Sequence, residues 1–405
     1  GCGGDSDRDV ARNNVLWSFW ADSRTEPCPL PMIELGNRAR NTVASLGPFA
    51  HRTFRKLFFI SKIFQRRATL FSVQSKRSIL ILSLLLPGCD SPTRFESIEY
   101  SSVSDPAQLA ILVEQETVLT IAALKWKGGA RASVSITYDA PWGTHPDHRL
   151  ATDAVIERGM RLDLELVSSM YAKTEFHHWI DTYKRDLVPH GIRFFGHGHT
   201  HAFHDTMTFD EAYESFKTNF DFMKEWGLNP KAYAYPGSSG KRRSTQLANR
   251  LAGFICARGS TIEWNEYFVA PHAETEPQSW YFLPSVVMGN ASNWYIDVHE
   301  KLVPILDEAV AQGAWVILTY HSIGIPQGWS YYPIDDFRQD LEAIQTRNIW
   351  NANMDAAAAY LAERSRLQFE LTGAKANKRE IRLDIKIDDG LPDGTYSEPL
   401  TFSVA

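Results

Sequence analysis

The chain has 405 residues, 44% of them hydrophobic and 22% charged, enough to bury one large core and still carry appendages. Its formal charge of −6 gives no basic field to hold a polyanion, so nucleic acid is excluded as a partner and a neutral or small substrate is favoured. The four cysteines, Cys2, Cys28, Cys89 and Cys256, match neither a zinc-site nor a disulfide spacing, which excludes cysteine chemistry as the function.

In chain order, residues 1–72 are basic and irregular and read as non-native upstream translation or disordered sequence. Residues 73–89 carry a targeting pattern. Lys76 and Arg77 supply positive charge, Ser78 to Leu86 an apolar run, and Leu86-Pro87-Gly88-Cys89 a small-residue cleavage site. The run is too short to span a bilayer, which takes roughly 20 residues. The pattern resembles a bacterial lipoprotein signal, which implies acylation of Cys89 and a membrane anchor on the periplasmic or extracellular face. Residues 90–126 read as a polar tether, Asp90 to Ser104, followed by an apolar segment from Gln108 to Leu124 of helix or strand type.

Regular alternation then runs over residues 127–365. Short β-rich runs (Ala132 to Tyr138, Arg161 to Val167, Ile192 to Gly196, Lys231 to Tyr235, Phe254 to Ala257, Ala314 to Tyr320) alternate with helical periods. The helical stretches are Leu150 to Arg158, Phe209 to Trp226, Ser244 to Ala252 and Val298 to Ala311. Strand then helix, repeated, predicts an α/β fold of parallel strands with crossover helices, a barrel or a doubly wound sheet.

Polar residues sit where such a fold builds its site, at the C-terminal ends of strands. Asp139 ends the first strand, His197 and His201 follow the third, Tyr235-Pro236 ends the next and His321 ends the sixth. From His197 to His204 the chain holds four histidines, and neutral imidazole is a good donor to divalent metals, so a metal site is expected here.

In order and spacing, Ser135-Ile136-Thr137-Tyr138-Asp139, His197-x-x-Thr200-His201, Ala234-Tyr235-Pro236-Gly237 and Leu318-Thr319-Tyr320-His321 resemble the motifs of the polysaccharide deacetylases. That is the NodB-homology domain of carbohydrate esterase family four. The resemblance implies a distorted (β/α)7 TIM-like barrel that hydrolyses N- or O-linked acetyl groups of a carbohydrate, with a divalent ion, usually zinc, held by one Asp and two His. His197 and His201 would be metal ligands and Asp139 the general base. His321 would be the general acid, and the loop Tyr235, Pro236, Gly237 would help to bind the oxyanion. An acetylated glycan is the implied partner.

Two departures stand out. The family's paired aspartate is replaced here by Ala140, so either Asp139 itself moves to the metal, or Asp147, His145 or His148 of the next loop supplies the third ligand, or metal and activity are lost. Ala234 stands where many members carry an arginine that orients the base, with Lys241, Arg242 or Arg243 as nearby substitutes. A catalytically degenerate carbohydrate-binding relative and a metal-independent amidase are the alternative functions. Residues 366–405 alternate with period two over Leu367 to Leu371 and Ile381 to Ile387, and predict a small antiparallel β unit.

Overall fold

The computed structural model describes residues 69–73, 78–85, 98–102, 107–113, 116–139, 148–260, 268–269, 279–376, 380–392 and 394–404. All of these belong to one compact unit, Ile33–Ala405. Residues 1–68, Cys89 and the loop from Ala140 to Asp147, with His145, lie outside the described residues.

The first barrel strand, Ala132–Tyr138, shows why the sheet closes on itself. Its apolar residues Ala132, Val134, Ile136 and Tyr138 pack with Leu302, Ile305 and Leu306 of the helix His299–Gln312. The alternate residues are hydroxylic and face the barrel interior, where each finds a partner. Ser133 Oγ donates to the Trp350 carbonyl, Ser135 Oγ accepts from Trp315 Nε1 at 3.0 Å and Thr137 Oγ1 donates to the Leu318 carbonyl at 2.8 Å. A strand buried on both faces has to satisfy its polar side chains internally, and these short hydroxyls do so.

Parallel pairing runs from Cys256–Arg258 through Ala232–Ala234, Ile192–Gly196 and Leu162–Leu166 to Ala132–Tyr138, then Trp315–Tyr320, then Val286–Val287. Leu283, just ahead of the last of these, returns to the first: its amide donates to the Ala257 carbonyl at 2.8 Å and its carbonyl accepts from Gly259 at 3.0 Å. Seven strand positions therefore close a (β/α)7 barrel, and the parallel α/β expectation holds. Ile349–Asn351 adds a short strand alongside the N-terminal half of Ala132–Tyr138.

The crossover helices carry their own signals. Phe209–Glu225 opens on a capping box formed by Thr208 and Glu211 and buries Ala212, Phe216, Asn219 and Met223 along one stripe. His299–Gln312 ends on Gly313, whose φ of 67° is the left-handed stop that glycine adopts without strain. The sequence reading omitted the helices Thr174–Asp186, Ile334–Thr346 and Met354–Ser365. The last is buried all round, so it has no polar face to give a helical period.

Outside the barrel the described residues form three further sheets, one of them the two-stranded pair of Ser322–Ile323 with Tyr331–Tyr332 just after His321. Ile98–Ser102, inside the expected tether, pairs with Gln108–Val113, which pairs with Glu116–Ala123; the apolar segment after the tether is thus two strands. Leu400–Val404 joins that sheet between Glu116–Ala123 and Thr69–Val73. The expected C-terminal hairpin is present as Gln368–Ala376 and Glu380–Asp388, and Ser78–Leu85, the apolar run of the targeting pattern, adds to it as a third strand. The C-terminal strands therefore do not form a unit of their own: they are completed by strands from the N-terminal part of the chain.

Candidate functional site

Six side chains from the C-terminal ends of five barrel strands converge. Asp139 follows the first strand and Glu165 is next to last in the second. His197 and His201 follow the third, Arg258 ends the strand Cys256–Arg258, and His321 follows Trp315–Tyr320. One donor atom from each of Asp139, Glu165 and His197 lies within 4.8 Å of the others, and all three residues are buried.

Asp139 is held on two sides. Its Oδ1 accepts from Arg258, whose Nε in turn donates to Thr137 Oγ1 at 3.0 Å, and its Oδ2 lies 3.8 Å from His321 Nε2. Arg258 is itself 3% exposed and spans the barrel interior over the Phe195 ring. A buried guanidinium facing a carboxylate fixes both position and charge.

The arginine expected near Ala234 is thus replaced from the neighbouring strand. Lys241, Arg242 and Arg243 are exposed, and the cation paired with the buried Asp139 is Arg258.

His197 is oriented by its own backbone neighbourhood, since its Nδ1 donates to the Ala234 carbonyl at 2.9 Å and its Nε2 turns toward Glu165 Oε2 at 3.4 Å. The loop that follows bends back through Gly198 (φ 86°) and His201 (φ 58°), and this left-handed turn sets the His201 ring 4.8 Å from that of His197.

The other two histidines of the cluster are structural. His199 pairs with Ser168 Oγ at 3.0 Å and stacks on Phe222, while His204 bonds Ser215 Oγ at 2.9 Å and stacks on Phe216. His148 is buried edge-on against Tyr183 of the helix layer, 5.2 Å between ring centres, and so is not among the converging groups.

Burial controls the electrostatics. It drives the Glu165 carboxyl well above the ordinary range, with the Asp139 charge adding to the rise and Arg258 opposing it. It pushes His197 well below the usual imidazole value, with His201 and Arg258 acting in the same sense. His321 falls to about 4 for the same first reason, although Asp139 pulls it upward. His321 Nδ1 is buried without a hydrogen-bond partner among the described residues.

The Tyr235 to Gly237 loop borders the site. Tyr235 is buried against Phe216, Tyr233 and Phe282, and its amide is taken by the Arg258 carbonyl at 3.0 Å. Gly237 adopts φ 55°, and a side chain there would run into the exposed Phe203 ring.

On the other side, Trp329 stands edge-on to His321 at 4.3 Å and is 59% exposed; its carbonyl is pinned by Ser322 Oγ at 2.8 Å. Tyr295 and Trp294 continue this aromatic rim.

The motif reading missed Glu165 and the role of Arg258. A usable signal existed for both: a charged residue inside an apolar parallel strand, Leu162-Asp163-Leu164-Glu165-Leu166 and Cys256-Ala257-Arg258, needs a buried partner. Asp163 finds its partners at the opposite end of the barrel, accepting from Asn353 Nδ2 and the Met354 amide, which leaves Glu165 at the site end.

No family model and no curated protein matches the chain. Solved structures do. It is similar to a family 4 carbohydrate esterase from Streptomyces lividans in complex with acetate, at 13% identity over 56% of this chain and 95% of that one, TM-score 0.38. It is similar to Puue allantoinase at 14% identity over 58% and 92%, TM-score 0.43. It is also similar to a family 4 pseudoenzyme from Bacillus anthracis at 11% identity over 56% and 65%, TM-score 0.39. The barrel itself is established by its own strand ladder.

Proposed function

We propose that this chain is a hydrolase that removes N- or O-linked acetyl groups from a carbohydrate, with Asp139 as general base and His321 as general acid. The observation that carries the reading is the suspension of Asp139 between Arg258 and His321, facing His197 across the mouth of the barrel. A carboxylate so placed can take a proton from an attacking water, and an imidazole 3.8 Å away on the other side can deliver one to the departing amine or alcohol.

The donor set fits a divalent ion of the zinc class: His197 with Asp139 and Glu165, whose ligand atoms lie within 4.8 Å of one another, and His201, whose ring stands 4.8 Å from that of His197. Such an ion, when bound, polarises the acetyl carbonyl and lowers the pKa of water toward about 7. The residues do the rest. Arg258 holds and aims Asp139, the Ala234 carbonyl fixes the His197 tautomer, and burial keeps His321 neutral until it takes up the proton that Asp139 has drawn from the water. Trp329, with Trp294 and Tyr295 beside it, offers flat apolar faces next to the acid, which suits the faces of a sugar ring.

Anchoring through an acylated Cys89 on the periplasmic or extracellular face belongs to the same reading; no helix among the described residues is long and apolar enough to cross a membrane.

The test is acetate release over a panel of acetylated glycans, with and without a chelator. Release that the chelator stops supports the reading. Binding of glycans without release at any metal loading overturns it in favour of a non-catalytic relative.

A further inference from the structure

We propose that Glu165, and not Asp139, is the carboxylate ligand of the divalent ion at this site, so that Asp139 stands free as the base. The inference rests on the metal-assisted reading above and assigns the ligand that Ala140 cannot supply.

Two buried carboxylates face His197, and their surroundings differ. Asp139 already has a cation: Oδ1 accepts from Arg258, and Oδ2 is turned toward His321 Nε2. Glu165, 6% exposed, has one polar contact among the described residues, His197 Nε2 at 3.4 Å. That contact opposes two electron-pair donors. His197 places its proton on Nδ1, where it is given to the Ala234 carbonyl, so Nε2 presents a lone pair to a carboxylate oxygen. In a buried setting such a pair needs a positive charge between them, which either a proton or a metal ion in its place can supply.

The spacing fits one. Two ligand atoms about 2.0–2.1 Å from a tetrahedral ion stand roughly 3.3–3.4 Å apart, and the observed separation is 3.4 Å. The supports are rigid as well. Asn219, fully buried, donates from Nδ2 to the carbonyls of Leu166 and Gly198 at 3.1 and 3.0 Å, clamping the residue after Glu165 to the residue after His197. Glu165 and His197 are thus held opposite one another by backbone on both sides, the kind of outer support that metal ligands receive.

Zinc affinity of the full chain, measured by competition with a chromophoric chelator, tests this. Wild type should bind one ion. Glu165→Gln should lose about 100-fold or more in affinity, since a direct ligand counts for at least as much as an outer partner, while Asp139→Asn should stay within about tenfold and release no acetate. Thermal melting in excess chelator checks that each variant folds; if the glutamine variant does not, Glu165→Asp serves, with an expected change in the visible absorption of bound Co(II). Glu165→Gln binding zinc like wild type would overturn the proposal, because a glutamine keeps a hydrogen bond to His197 but is a poor ligand. So would an equal loss in Asp139→Asn, or a wild-type chain that takes up no ion. A chain that loses zinc through Glu165→Gln but cleaves no acetylated glycan sinks the deacetylase reading and leaves the ligand assignment standing.

Discussion

Asp139 carries the most at the scale of single residues, and its value depends on Arg258. Removing one member of a buried ion pair leaves the other unpaired at a cost of about 3–5 kcal/mol. Arg258→Met should therefore lower kcat for acetate release by about 100-fold or more while zinc still binds, since the guanidinium touches Asp139 and Thr137 rather than His197. Steady-state rates alongside a zinc titration check this; an unchanged kcat would remove Arg258 from the positioning role. His197→Ala or His201→Ala should abolish both bound ion and acetate release, because one remaining imidazole rarely holds zinc against buffer. Full metal occupancy in either variant would show the histidine assignment to be wrong.

Between elements, two buried side chains tie helices to the strands that bear the site. Asn219 reaches from the helix Phe209–Glu225 to the carbonyls of Leu166 and Gly198. Asn219→Leu removes two buried hydrogen bonds, while each carbonyl keeps a backbone donor, the His197 amide for Leu166 and the Ser168 amide for Gly198, so stability should drop by about 1–3 kcal/mol, read from urea unfolding; a midpoint equal to wild type would refute the clamp. Asp340, on Ile334–Thr346, joins His299 at 2.7 Å to Tyr320 at 2.8 Å, the residue before His321. Burial raises its carboxyl from 3.8 to about 6. Between those values the folded chain keeps a proton that the unfolded chain releases, so this group makes stability fall as pH rises through that window. At about 1.4 kcal/mol for each pH unit, the loss amounts to roughly 3 kcal/mol. Asp340→Asn should flatten that part of the profile; equal changes in both chains between pH 4 and 7 would rule out Asp340 as its source.

For the whole molecule, the five- and three-stranded sheets outside the barrel take in Thr69–Val73 and Ser78–Leu85, two strands that cleavage ahead of the proposed anchor at Cys89 would remove. A Cys89→Ser variant expressed in a bacterium should leave the membrane fraction or accumulate unprocessed; equal fatty-acid labelling of both forms would end the lipoprotein proposal. Stable anchoring takes more than one acyl chain, as a lipoprotein has.

The barrel was legible from residue order because parallel strands buried on both faces are continuous β-rich runs, and the helices between them keep a 3.6-residue period. Asp139, His197, His201 and His321 were legible because each sits one to five residues past such a run. The helix Met354–Ser365 was not, since burial on every side erases its period. Nor did order alone assign roles within the site. The split of the histidine cluster into two site residues and two stacked structural ones depends on which aromatic rings lie beneath the loop. The replacement of the arginine near Ala234 by Arg258, and the convergence of Glu165 on His197, depend on strands far apart in sequence ending at one mouth. Local spacing encodes which residues leave a strand end. Only barrel closure decides which of them meet, because a buried charge is stabilised by whatever partner the opposite strand brings within reach.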